Sequence, residues 1–188
     1  MMGARALIVL GLVGGCAPSN RPPAAFVRDA AGHLSCPHEL TGWSTDEPLP
    51  EVRGSGYRGR IVPPAAAVAF FCQCSRDTGG PPDGYWSPAA ADIAQLEEDL
   101  PFYVRANPPS IDPRPWRDLA LYVRLYMGIV RDGHRHVAVS LVRSPYAIGV
   151  WPRETGVGSV CDGGPMFFGV EYDLDGHRFV SIAYNGPA

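Results

Sequence analysis

Three histidines stand where short turns would present them. His134 and His136 are two residues apart, and in a strand such residues leave the backbone on the same side, so both imidazoles can be offered to one metal ion. His177 becomes a third candidate ligand if the turn that bears it meets the first. Zinc needs three or four converging ligands, and no carboxylate stands at fixed spacing from this pair, so the expectation is exposed histidines and no resident metal. Carboxylates offer no clearer acid–base pair, since Glu171 lies on an expected strand with nothing to mark its partner. The nucleophile-elbow and zincin patterns are absent, and Gly156-Val157-Gly158 is followed by neither a third glycine nor a helix. All 16 basic residues are arginines, which excludes lysine Schiff-base chemistry and the phosphate-binding loop that needs a lysine. These residues name no catalytic group and no cofactor.

A second grouping suggests recognition. Tyr122, Arg124 and Tyr126 alternate along one expected strand, and an arginine between two aromatic rings suits an anionic or aromatic partner. Tyr85, Trp86, Trp116, Tyr146 and Trp151 fall near expected loops and strand faces, where they serve either as binding anchors or as seals at the edge of a small core. The formal net charge is −3 with no basic cluster, so nucleic acid is not an expected partner.

The N-terminus decides the compartment. Met1 to Arg5 carry one positive charge, Ala6 to Val13 form an apolar run too short to span a bilayer, and Gly14-Gly15 complete a small-residue cleavage site: the order of an export leader. The ending Leu12-Val13-Gly14-Gly15-Cys16 resembles the bacterial lipobox, with Val13 where leucine is commonest. That resemblance implies cleavage before Cys16, acylation of Cys16 and anchoring in a membrane by more than one chain. Ala17 follows the anchor, where an aspartate would imply retention in the inner membrane, so the expected location is the cell envelope, at the outer membrane facing the periplasm. Export places Cys36, Cys72, Cys74 and Cys161 in an oxidising compartment, where an even set reads as disulfides. Three connectivities are open; a Cys72–Cys74 bridge is strained, which favours Cys161 joining one of them and Cys36 the other. A thiolate nucleophile at Cys161 is the competing reading and requires a reduced sulfur.

These groups need elements to hold them. Residues 16–60 are rich in Pro, Gly, Arg and Ser and read as a tether, partly folded back around His33, Cys36, His38 and Trp43. Residues 61–188 read as one domain. Val68 to Cys74 reads as a short strand, and Ser87-Pro88 as the cap and first residue of a helix. Ile93, Leu96, Leu100 and Val104 form one apolar stripe, with Asp92, Glu97, Glu98 and Asp99 facing mostly away. Pro101 should kink or end the helix, and Asn107-Pro108-Pro109 closes it. From Leu119 the period becomes two, with Asp132-Gly133 as a hairpin turn and a second hairpin from Met166 to Tyr184 around Asp173 to Gly176. Asp132-Gly133-His134-Arg135 and Asp175-Gly176-His177-Arg178 repeat four residues, either a decayed duplication or convergence on good turn chemistry.

The expected fold is α+β, one helix packed on a curved antiparallel sheet of about four to five strands. The element order over residues 87–184 resembles the cystatin-type architecture. The stretches Cys161-Asp162-Gly163-Gly164, Phe168 to Asp173 and Tyr184-Asn185-Gly186 resemble the C-terminal part of uncharacterised bacterial envelope proteins. The expected function is a non-catalytic envelope module that binds a protein or cell-wall ligand, with Tyr122, Arg124 and Tyr126 on the sheet face away from the helix. The competing expectation is an envelope hydrolase or metal-dependent enzyme built on the histidine-bearing turns.

Overall fold

The structure is a computed structural model and describes residues 48–71, 79–110, 114–144 and 163–186, with the backbone pairs at 27–28, 34–35, 43–44 and 156–157. Cys16, Cys36, Cys72, Cys74 and Cys161 lie outside the described residues, as do the leader, Tyr146 and Trp151. Two small ladders pair β1 (Val27–Arg28) with β2 (Leu34–Ser35), and β3 (Trp43–Ser44) with β9 (Gly156–Val157).

The main sheet contains β4 (Glu51–Gly54), β5 (Tyr57–Ile61), β6 (Gly84–Trp86), β7 (Tyr122–Arg131), β8 (His134–Arg143), β10 (Phe167–Asp173) and β11 (Arg178–Tyr184). Its order is β11-β10-β8-β7-β5-β4, with β6 also paired to β7. The fold is therefore α+β as expected, but the sheet has seven strands, not four or five, and it is mixed. Strand β5 runs parallel to the first half of β7, while β6 runs antiparallel to its second half. Two of the extra strands, β4 and β5, come almost wholly from residues assigned to the tether by composition, and the third, β6, from residues at the end of a loop within the expected domain. Val52, Tyr57, Gly59 and Ile61 supply the inward positions of β4 and β5, and the arginines between them mask that alternation.

Two helices cover the two sheet faces. Helix α1 (Pro64–Phe70) occupies part of the region expected to be a strand. Pro64 sits at the first helical position and three alanines follow, and both favour a helix over a strand. Helix α2 (Ala90–Ala106) begins two residues later than Ser87-Pro88 suggested, with the Asp92 carboxylate accepting the Ala89 N–H at 2.8 Å. Asn107 ends it, its N–H bonded to the Tyr103 and Val104 carbonyls. Pro101 does not end the helix, which continues through it to Ala106. A proline in a helix interior costs about 3 kcal/mol. Burying a large apolar side chain returns about 1.5–3 kcal/mol, and Leu100 and Val104, on either side of Pro101, are both wholly buried.

Ile93, Leu96, Leu100 and Val104 pack on Tyr122, Tyr126, Val137, Val139, Leu141, Phe168, Val170 and Tyr172. On the other face, Ala66, Ala67, Val68 and Phe71 pack on Tyr85, Leu125, Met127, Ile129 and Ala138. Gly128 admits β6 at close range, since a Cβ there would run into the Trp86 carbonyl and indole.

The two Asp-Gly-His-Arg turns differ in backbone. In the β7–β8 turn both Asp132 (φ 50°) and Gly133 (φ 80°) are left-handed, as a two-residue I′ turn requires. In the β10–β11 turn the left-handed residue is His177 (φ 50°). Strand β11 also carries a bulge, because Ser181 opposes Glu171 while Phe179 opposes Tyr172, leaving Val180 unmatched.

One polar group is built into the α2 side of the core. Glu97, expected to face away, is buried and meets Arg124, which is 2% exposed. Arg124 Nε and Nη2 donate to the Glu97 oxygens at 3.0 and 3.2 Å, and Nη1 donates to the Leu119 and Tyr122 carbonyls at 3.0 and 2.6 Å. The Tyr126 hydroxyl donates to Glu97 at 2.8 Å. Burial, reinforced by the Glu97 charge, pushes the Tyr126 hydroxyl pKa far up and keeps it a donor.

Glu97→Ala is expected to destabilise the protein by about 3–5 kcal/mol, because Arg124 would remain buried without its counter-charge. The double variant Glu97→Leu/Arg124→Met should recover part of that loss. Urea midpoints of the parent and both variants check this, and a Glu97→Ala chain as stable as the parent would refute the pair's role.

Candidate functional site

The sheet face opposite α2 carries a second polar group near the hairpin turns. The registers place it: Ile129 opposes His136, His136 opposes Asp173, and Glu171 lies two residues before Asp173 on β10, hence on the same face. Arg131 reaches across from the end of β7. Its Nε donates to both Glu171 oxygens at 2.9 and 3.0 Å, and His136 Nδ1 lies 2.7 Å from Glu171 Oε1. Because a carboxylate oxygen accepts, the Nδ1 of His136 carries the proton in that bond. Nε2 is then an acceptor in the neutral ring and a donor in the protonated ring, and among the described residues it has no hydrogen-bond partner.

A short strap lies against the other side of Arg131. Gly79 (φ 68°) and Gly80 (φ 81°) are both left-handed, and their carbonyls accept from Arg131 Nη1 at 3.4 Å and Nη2 at 3.1 Å. Asp83 fixes the strap to the β7–β8 hairpin, with its N–H bonded to the Val130 carbonyl and its carboxylate accepting the Asp132 N–H at 2.8 Å. The Phe71 ring lies 5.8 Å from the Arg131 guanidinium carbon. Tyr85, on the same face, has a buried hydroxyl without a hydrogen-bond partner among the described residues. Burial pushes its pKa up, against the opposing charge of Arg131.

Asp173 completes the rim. The Gly176 N–H, bonded to Asp173 at 2.9 Å, holds its carboxyl below the usual carboxylate value; burial opposes the shift, and the charges of His136, Arg178 and His134 add to it.

The three histidines do not converge. The hairpins do meet at their turns, through Leu174 N–H to the Arg135 carbonyl and Arg135 N–H to Asp175. His134, however, is exposed and lies 3.6 Å from Asp175, His136 is turned inward to Glu171, and His177 contacts Gln95 of α2. Gln95 also bonds the Tyr172 hydroxyl, so His177 belongs to the α2 side. Among the described residues no group of three or more His, Cys, Asp or Glu could hold a metal ion.

Tyr122, Arg124 and Tyr126 do share a face, but it is the one under α2, and all three are buried. The expected orientation is reversed because Leu125, Met127 and Ile129 are claimed by α1, a helix that the sequence presented as a strand. Arg131 and Glu171 were not recognised as partners of His136. The signal that unites them is the β8–β10 register, and those strands are joined by a long link that leaves it open.

Two measurements test the site. In ¹⁵N-detected NMR the neutral His136 ring should carry its proton on Nδ1, and an Nε2–H tautomer would contradict the bond to Glu171. Asp173 has a folded-state pKa below its unfolded value, so its contribution is present above the unfolded pKa and is lost as pH falls through the lowered folded value. Asp173→Asn should therefore lower stability near neutrality and flatten its decline in acid, as read from urea midpoints between about pH 6 and pH 2.5. A decline as steep as the parent's would remove Asp173 from the acid response.

Comparison with known proteins finds no matching family model, no matching curated protein and no matching solved structure.

Proposed function

We propose that this chain is a non-catalytic binding module of the bacterial cell envelope, exported by its leader, anchored by lipid at Cys16, and engaging its ligand on the sheet face that carries Arg131, His136 and Glu171. One observation carries this reading: His136 is oriented by Glu171, buried, and left with one ring nitrogen that no described residue engages. Such an imidazole is pre-organised to exchange a single hydrogen bond with a ligand. The envelope setting rests on the charged, apolar and small-residue order of Met1 to Cys16. Within the envelope we place the anchor at the outer membrane with the domain facing the periplasm. The ligand is an envelope protein or a cell-wall component, and the four remaining cysteines pair as disulfides. The helix-on-sheet unit over residues 87–184 is read as cystatin-like in plan, with β5 and β6 added along β7 and β4 beyond β5.

A second reading is favoured by the same bond. An imidazole held at 2.7 Å by a carboxylate, with its outer nitrogen open, is also the arrangement of a general base. The binding reading is preferred because Arg131 already occupies both Glu171 oxygens, and its guanidinium is shared between Glu171 and the strap.

The test uses the lipidated protein in its own envelope, with a photo-crosslinker at Ser181, which opposes Glu171 on β11. Capture of a defined envelope component that is lost in His136→Ala supports the binding module. Turnover of an ester, amide or glycoside substrate that is abolished by His136→Ala would replace it with the enzyme reading. Intact mass showing an uncleaved Met1 and no acyl group would reject the anchor.

A further inference from the structure

We propose that the C-terminal end of α2, with the 3-10 turn Arg114–Trp116 beside it, is a membrane-contacting surface that rests on anionic phospholipid headgroups and turns the histidine-bearing hairpins away from the bilayer. Phe102 carries the apolar part. At 75% exposed it is the most exposed large apolar side chain among the described residues, and Pro101, Ala106 and Pro108 near it are exposed too. Leu121, also exposed, lies at the same end of the sheet, just before β7. Arg105 and Arg117 carry the charge. Arg105 stands three residues after Phe102, so the two are neighbours on the helix surface. The guanidinium carbons of Arg105 and Arg117 lie 5.2 and 5.1 Å from the centre of the Trp116 ring, which is itself packed on the α2 core. Both arginines are exposed, and neither has a hydrogen bond or ion pair among the described residues. The adjacent Asp118 carboxylate is taken by Arg143.

Two cations held on one ring without a counter-charge make a basic spot on a chain of net charge −3, so an anionic surface is repelled by the chain as a whole and accepted here. A soluble anion would answer the arginines alone and leave Phe102 in water. A bilayer takes both, since headgroup phosphates pair with guanidinium groups, tryptophan sits at headgroup level and phenylalanine reaches the acyl boundary. Glu98, exposed one turn before Phe102, limits the contact to the last turn of the helix. The fold then decides what faces away. Gln95, in the first half of α2, contacts His177 beside the β10–β11 turn, while the Asn107 carbonyl accepts the Tyr184 hydroxyl at the far end of β11. Helix α2 thus runs from the hairpin turns to the opposite end of the sheet, a separation of about 20 Å along β11. The surface rests on the reading of the chain as lipid-anchored, because a tether from Cys16 keeps the domain within reach of a bilayer, but its contact can be measured apart from the anchor.

The experiment uses the full-length acylated chain with vesicles and nanodiscs of phosphatidylcholine, alone or mixed with phosphatidylglycerol. Flotation with phosphatidylcholine vesicles reads the anchor, which no substitution in the surface should change. A paramagnetic chelate on the headgroups of the discs reads the contact, through the relaxation of individual amides. In anionic discs the Phe102, Arg105 and Arg117 amides should relax much faster than those of His134 and Gly176 at the hairpin turns. Arg105→Gln/Arg117→Gln should lower that enhancement roughly tenfold or more, the loss of two guanidinium groups from an anionic surface. Phe102→Ser should lower it as well, and Phe102→Trp should retain it. High salt should weaken it. Because these side chains are exposed, urea midpoints should match the parent's. Equal relaxation at Arg117 and His134, or an enhancement that the double variant keeps, overturns the surface. So does capture of a protein in place of lipid by a photo-crosslinker at Phe102 in the native envelope. A chain that fails to float on phosphatidylcholine refutes the anchor alone. The surface is then read by flotation on the anionic vesicles, where the parent should float and the double variant should not, and a parent that stays behind overturns it too.

Discussion

The contact between Glu97 and Arg124 fixes how the main helix sits on the sheet. Apolar stripes tolerate sliding, because one leucine can exchange places with another at little cost. A buried guanidinium and carboxylate joined by two bonds, with the Tyr126 hydroxyl and two backbone carbonyls filling the remaining positions, cannot slide without stranding a charge. That cost sets the register of α2 along β7, and β7 in turn organises the sheet. Strand β8 pairs along its full length, while β5 and β6 share its other edge.

Both sheet faces use the same chemical vocabulary for different ends. On the α2 face an arginine, a glutamate and a tyrosine are closed on themselves, with every named polar atom matched inside the core. On the other face an arginine and a glutamate hold a histidine, yet the Tyr85 hydroxyl has no partner among the described residues and the outer nitrogen of His136 has none either. A closed network specifies structure, whereas an open one leaves hydrogen-bonding capacity for something else. This contrast, more than the presence of a histidine, separates the candidate site from the core.

Much of the scaffold could be read from residue order. The stripe Ile93, Leu96, Leu100 and Val104 was legible because a helix buries one side at a period that four residues suffice to show. Both C-terminal hairpins were legible from alternation and turn residues. What escaped depends on neighbours distant in sequence. Glu97 sits four residues after Ile93, a spacing that places it beside the stripe, but only Arg124 on another element makes its burial tolerable. Strands β4 and β5 escaped because arginines fill their outward positions, and α1 because an alanine-rich run before two phenylalanines fits either period. The candidate site was half legible: the sequence pointed to His136, named Glu171 without a partner and passed over Arg131, since their meeting depends on how two hairpins dock.

The unmatched Val180 on β11 has a meaning for how copies of this protein coexist. A sheet that does not close leaves borders, each a row of backbone groups that a neighbour could adopt. Here the β11 border is interrupted by an extra residue that throws the backbone out of step, the β4 border is a four-residue strand with charged Glu51 and Arg53 on one side, and β6 adds a border of three residues. None of them offers a flat run long enough for a second sheet to continue the first. Crowding many such molecules together therefore favours side-by-side tolerance over fibre growth, leaving the faces, and not the borders, as the surfaces through which association is chemically inviting.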